Sequence, residues 1–108
     1  MTDALPPDIL EKSKTVLDAL KAAGLMVVTA ESCTGGLVAG ALTAHAGSSA
    51  CVCGGFVTYS NALKQSCLGV PAHALSHWGA VSAQVAAAMT WGAHPAATDP
   101  HIAVPLPG

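Results

Sequence analysis

From the N-terminus, apolar residues first recur at helical spacing. Ile9, Leu10, Val16, Leu17 and Leu20 share one face, opposite Glu11, Lys12, Lys14, Asp18 and Lys21. Pro6-Pro7 before this segment and Gly24 after it mark the ends of a first helix, because proline suits the first turn and glycine the left-handed residue past the last. The period then changes. Leu25 to Ala30 is a nearly continuous apolar run, the pattern of a strand buried on both faces. Glu31 to Thr34 form the turn that leaves it. Gly35-Gly36 opens the small-residue segment Leu37 to Leu42, which predicts a helix packed closely on a sheet and ending near Gly47. Ser48 to Ala50 form a loop, and Cys51 to Thr58 predict a second strand, whose Gly54-Gly55 pair marks a bulge or a close backbone approach. Asn61 is expected to cap a helix through Leu68, with Gly69 as its stop. Pro71 starts another short helix, and Ser82 caps one over Ala83 to Trp91. After a Pro95 to Pro100 loop, His101 to Val104 read as a third strand that Pro105-Leu106-Pro107-Gly108 cannot continue. With no internal repeat and no linker, helices alternating with short buried strands predict one layered α/β domain over residues 1–108.

Composition narrows the function classes. The chain has 108 residues, enough for one full core, and is 52% apolar and 9% charged, which excludes disorder over most of its length. Phe56, Tyr59, Trp78 and Trp91 are the only aromatics, Lys12, Lys14, Lys21 and Lys64 the only cations apart from histidine, and the formal net charge is −2. Neither a stacking platform nor a basic surface for nucleic acid is present, so no nucleic-acid partner is expected. The first residues lack the charged start and apolar core of a signal peptide, and runs such as Leu37 to Leu42 break well short of the roughly 18 residues needed to cross a bilayer. The expectation is a soluble, cytoplasmic protein that does not engage a membrane, with Cys33, Cys51, Cys53 and Cys67 as thiols.

Candidate chemistry concentrates where the first strand hands over to the Gly-Gly helix, at Thr29-Ala30-Glu31-Ser32-Cys33-Thr34-Gly35-Gly36. A serine there lies beside unpaired helix N–H groups able to hold an oxyanion or a phosphate, and glycines let the backbone approach a ligand. Capping by Ser32 and Thr34, with glycines that permit tight packing, is the commoner reason for such a spacing taken alone. A serine hydroxyl needs a group to accept its proton. Lys64 is a candidate, in the first turn of its helix, where the positive end disfavours a charged ammonium. A surface lysine is the alternative. Tyr59, at the turn before Asn61, either positions that amine or is a partly buried ring.

The strings TAESCTGG at 29–36, GSSACVCGGFVTYSNALKQSCLGVP at 47–71 and HWGAVSAQVAAAM at 77–89 resemble, in order and spacing, successive motifs of the CinA C-terminal domain family over about residues 8–92. Active members of that family are nicotinamide-nucleotide amidases. The resemblance implies a three-layer α/β/α fold with a small mixed sheet, a Ser32 nucleophile, a Lys64 base with Tyr59 nearby, a small-molecule nucleotide substrate, a homodimer, and no cofactor or required metal. Substrate contacts are then expected from Glu31, Cys33, Thr34, Gly35, Gly36 and Asn61, and from Ser48 and Ser49 toward the phosphate or ribose.

Residues 93–108 depart from the family pattern, which continues into a glycine-rich loop, further strands and a last helix. The resemblance therefore implies a domain incomplete at its C-terminus, and with it a second reading: a truncated binding or dimerisation module without turnover. A Cys33 nucleophile lacks a local His or Asn to activate it. His73 and His77 have a zinc-compatible spacing but no acidic or thiol ligand beside them.

Overall fold

The computed structural model describes residues 5–96 and 101–103. Helix α1 (Pro7–Ala23) starts on Pro6, with a proline in its first turn, and ends on Gly24, whose left-handed backbone returns its N–H to the carbonyls of Leu20 and Lys21. Leu17 and Leu20 are buried, whereas Ile9 and Val16 of the same stripe stay exposed. Strand β1 (Met26–Glu31) is buried from Val27 onward. It is followed by α2 (Leu37–Thr43), β2 (Val52–Val57), α3 (Asn61–Leu68), α4 (Ala72–Trp78), α5 (Ala83–Ala93) and β3 (His101–Ala103). The expected helix toward Gly47 stops earlier, and a single 3-10 turn over Ser48–Ala50 leads into β2. Val104 and the closing prolines of the expected third strand lie outside the described residues, as does most of the Pro95 to Pro100 loop.

The sheet runs β2-β1-β3, and both pairings are parallel. The α/β class and its layers are as the sequence implies, but the antiparallel member of a mixed sheet does not occur among the described residues. The reason lies in the connections: α2 carries the chain back between β1 and β2, and α3 to α5 do so between β2 and β3, so each strand starts from the same end. The glycine pair of β2 does both things expected of it. Register shifts between Val27 and Val28, whose partners are Val52 and Gly54, so a bulge sits just before the pair. A side chain at Gly55 would collide with the Thr29 hydroxyl on the neighbouring strand.

Alternation along β1 divides the interior. Val27 joins Leu17, Leu20, Leu42 and Cys51 beneath α1 and α2. Val28 and Ala30 face the other way, into Leu68, Val70, Leu75, Val85 and Met89 of the α3–α5 layer. α3 and α5 cross closely because Gly92 has no side chain: a Cβ there would overlap the Leu68 carbonyl.

Candidate functional site

The alternation of β1 carries into the turn that follows it. Glu31 continues the Val27 and Thr29 side, toward α2. Ser32 continues the Val28 and Ala30 side, toward α3. Both are buried, at 1% and 4% exposure. Gly35 and Gly36 turn the chain into α2 with φ of 60° and 96°, a left-handed pair that residues with a side chain adopt at a cost.

Glu31 was expected at the substrate, but the structure engages its carboxylate elsewhere. Oε1 accepts from the Thr34 hydroxyl at 2.7 Å and from the Val38 N–H at 2.9 Å, and Oε2 accepts from the Ala39 N–H at 3.0 Å. Buried beneath the start of α2, the group satisfies orphan helix amides and pins the turn that holds Ser32. Its backbone carbonyl accepts from Thr58 N–H at 2.9 Å, which ties the exit of β2 to the same point.

Lys64 lies on α3. The helix is capped one residue earlier than expected: Ser60, in extended conformation, accepts the Leu63 N–H on its hydroxyl at 3.1 Å, and Asn61 is already helical and exposed. Lys64 and Leu68, one turn apart, are the buried residues of this helix, so a lysine occupies an inward position that periodicity would give to an apolar side chain. It is 1% exposed. Its Nζ lies 3.0 Å from Ser32 Oγ and donates to the Tyr59 carbonyl at 2.9 Å. The structure thus joins two residues 32 positions apart in the chain. Tyr59 contributes its main chain to this contact, and the residue is 76% exposed.

The remaining expected contacts separate. Cys33 and Gly35 are exposed on the same turn, and Thr34 is half-buried. Ser48 and Ser49 fall at the other end of the sheet. Because β1 and β2 run parallel, the turn before β2 packs at the start of β1, where Val27 N–H bonds the Cys51 carbonyl, and Ser32 lies past the end of β1, roughly 15 Å along the strand at the usual rise per residue. No local pattern in the sequence encodes that polarity. Thr58, which the sequence marks only as the end of the second strand, also lies beside this turn. It is 1% exposed and its hydroxyl has no hydrogen-bond partner among the described residues. It stands two positions past Phe56, which packs into the α3–α5 layer.

His73 and His77 are exposed on α4, and among the described residues no group of three or more His, Cys, Asp or Glu gathers. None of the four cysteines is in a disulfide. An apolar groove of about 460 Å³ between α1 and α2, lined by Ile9, Val16, Leu37 and Ala41, opens on the face opposite Lys64; Ser13, at its wall, shares a 2.7 Å hydrogen bond with His45 Nε2. No helix among the described residues is long and apolar enough to cross a membrane.

Comparison with known proteins gives the chain its family. The family model for the CinA C-terminal domain matches residues 10–108. The nicotinamide-nucleotide amidohydrolase PncC of Enterobacter agglomerans is 52% identical over 95 residues, which are 87% of this chain and 58% of that protein. PncC of Escherichia coli strain K12 is 50% identical over 97 residues, 90% of this chain and 57% of the relative. Among solved structures, the competence/damage inducible protein CihA of Agrobacterium tumefaciens superposes with a TM-score of 0.82 at 52% identity, covering 86% of this chain and 56% of the other. A CinA superfamily protein of Escherichia coli gives 0.77 at 37%, over 82% and 53%. The chain thus spans somewhat more than half the length of the relatives it matches. On the family match and these identities, the chain belongs to the CinA C-terminal domain family.

Proposed function

We propose that the chain carries a Ser-Lys amidohydrolase site that cleaves the carboxamide of nicotinamide mononucleotide to nicotinate mononucleotide and ammonia. The observation that carries this reading is the 3.0 Å approach of Lys64 Nζ to Ser32 Oγ inside the fold. Lys64 Nζ donates to the Tyr59 carbonyl, which holds the amine within proton-transfer reach of Ser32 Oγ. Lys64 takes the serine proton as Ser32 Oγ bonds to the carboxamide carbon. The tetrahedral adduct then collapses, the C–N bond breaks, and Lys64 returns the proton to the leaving nitrogen, which departs as ammonia. Water attacks the resulting ester with Lys64 again as base, releasing the acid and restoring the hydroxyl. The Gly35 N–H turns back to the Ser32 carbonyl at 3.0 Å, and Val38 and Ala39 serve Glu31, so the oxyanion is assigned to the amides of Thr34 and Gly36. Substrate enters over the exposed rim of Cys33, Gly35 and Tyr59. The PncC relatives, named for this activity, support the choice of substrate. The same reading makes the protein a cytoplasmic homodimer whose acyl transfer uses only its own side chains and water.

The test is ammonia release from nicotinamide mononucleotide by the purified chain, with sedimentation for the dimer. Lys64→Met is expected to lower kcat by about 10²–10⁴-fold, the range for loss of a general base, and Ser32→Ala to abolish turnover. A Ser32→Ala protein as active as the parent would end the serine mechanism. The other reading is a binding or dimerisation module of the same family, without turnover. Nucleotide binding without ammonia release would select it.

A further inference from the structure

We propose that Thr58 is a substrate contact whose hydroxyl hydrogen-bonds the reacting carboxamide beside Ser32 and Lys64. This assignment rests on the amidase reading above. The β1–β2 ladder ends with Ala30 opposite Phe56 and Glu31 opposite Val57. The Thr58 N–H donates to the Glu31 carbonyl at 2.9 Å and extends the same pattern by one step, so Thr58 stands alongside Ser32. Phe56 packs into the α3–α5 layer, and the residue two further on faces that side, where Lys64 lies. The next carbonyl, that of Tyr59, holds the Lys64 amine. A hydroxyl is thereby fixed between the strand that presents the nucleophile and the peptide that anchors the base.

Buried hydroxyls nearly always have a partner, and an exception calls for a physical reason. Thr58 Oγ1, in a residue 1% exposed, has none among the described residues. A primary carboxamide supplies what is missing, because it offers both N–H donors and a carbonyl acceptor to a group that donates once and accepts twice. The position is also pre-set for that task. Its main chain is held by the ladder and its β-branched side chain has restricted χ1, so little freedom is lost when the substrate binds. The second buried hydroxyl without a partner, Thr29 Oγ1, is a built-in contrast. It points away from Lys64, into the space left by Gly55 on the α2 side.

The experiment compares the full chain with Thr58→Val, Thr58→Ser and Thr29→Val, measuring thermal unfolding, nicotinamide mononucleotide binding and ammonia release. Valine keeps the shape and removes an unpaired buried hydroxyl, so both valine variants are expected to unfold at the parent temperature or above it. Thr58→Val should lose about tenfold or more in kcat/KM, as expected when one neutral hydrogen bond to substrate is removed, while Thr58→Ser and Thr29→Val keep most of it. Unchanged kcat/KM in Thr58→Val would overturn the proposal. So would a joint fall in stability and activity that serine does not rescue, which marks a structural hydroxyl. Should the parent release no ammonia, the amidase reading fails by itself and binding decides the contact. A Kd weakened about tenfold in Thr58→Val then supports it, and equal binding or no binding by the parent overturns it.

Discussion

At the scale of single residues, Glu31 shows how a buried carboxylate beside Ser32 can hold the turn in place. Its carboxylate takes three hydrogen bonds from the turn and from α2, at 1% exposure, while its carbonyl holds Thr58. Glutamine would turn an NH₂ toward an amide that needs an acceptor. Glu31→Gln is therefore expected to lower stability by about 2 kcal/mol, the range for a buried charge-assisted hydrogen bond, and to lower kcat more than it raises KM. Aspartate is one methylene too short to reach Val38 and Ala39, so it should not restore activity. Denaturant unfolding beside steady-state kinetics checks both, and a Gln variant with parental kcat would remove Glu31 from the positioning of Ser32.

At the scale of elements, the site depends on how two turns are terminated. Gly36 precedes α2 at φ 96°, with its would-be Cβ 3.4 Å from Val57. Gly36→Ala should lose about 1–2 kcal/mol, the cost of a left-handed residue bearing a side chain, and should also reduce turnover because Ser32 sits in the same turn. Ser60 caps α3 through Leu63 N–H. Ser60→Ala should lose about 1 kcal/mol and lower kcat through the helix start that fixes Lys64. In both cases urea titration gives the stability term. Parental stability of Gly36→Ala would contradict the observed turn.

At the scale of the whole molecule, the sheet separates two apolar clusters, and the proposed chemistry belongs to one of them. Leu17 is 1% exposed beneath α1, on the face opposite Lys64. Leu17→Ala should lose about 2–5 kcal/mol through cavity formation while leaving kcat near the parent value at temperatures where the protein stays folded. A proportionate loss of kcat under those conditions would mean that the two layers are coupled through β1. Parallel strands also bring the ends of β1 and β2 together, the usual position of ligand sites in sheets of this type. Thr58, Tyr59 and the Ser32 turn gather there, while Ser48 and Ser49 are left at the far end.

Much of this was legible in the chain itself. Local pattern determined the elements, because period, proline and glycine act within a few residues: Gly24, Gly69 and Ser82 terminate or cap the helices that they were expected to. The strand–Ser–Gly-Gly turn and Lys64 in the first turn of its helix were likewise visible from neighbouring residues. Only the tertiary structure decided which of those residues meet. Strand direction is set by the crossover helices, and it removed Ser48 and Ser49 from the turn of Ser32. Strand alternation aimed Glu31 and Ser32 at opposite layers, and the inward face of α3 brought Lys64 to the second of them. Such outcomes depend on the packing of segments more than 30 residues apart, as Ser32 and Lys64 are, and no local pattern encodes that distance.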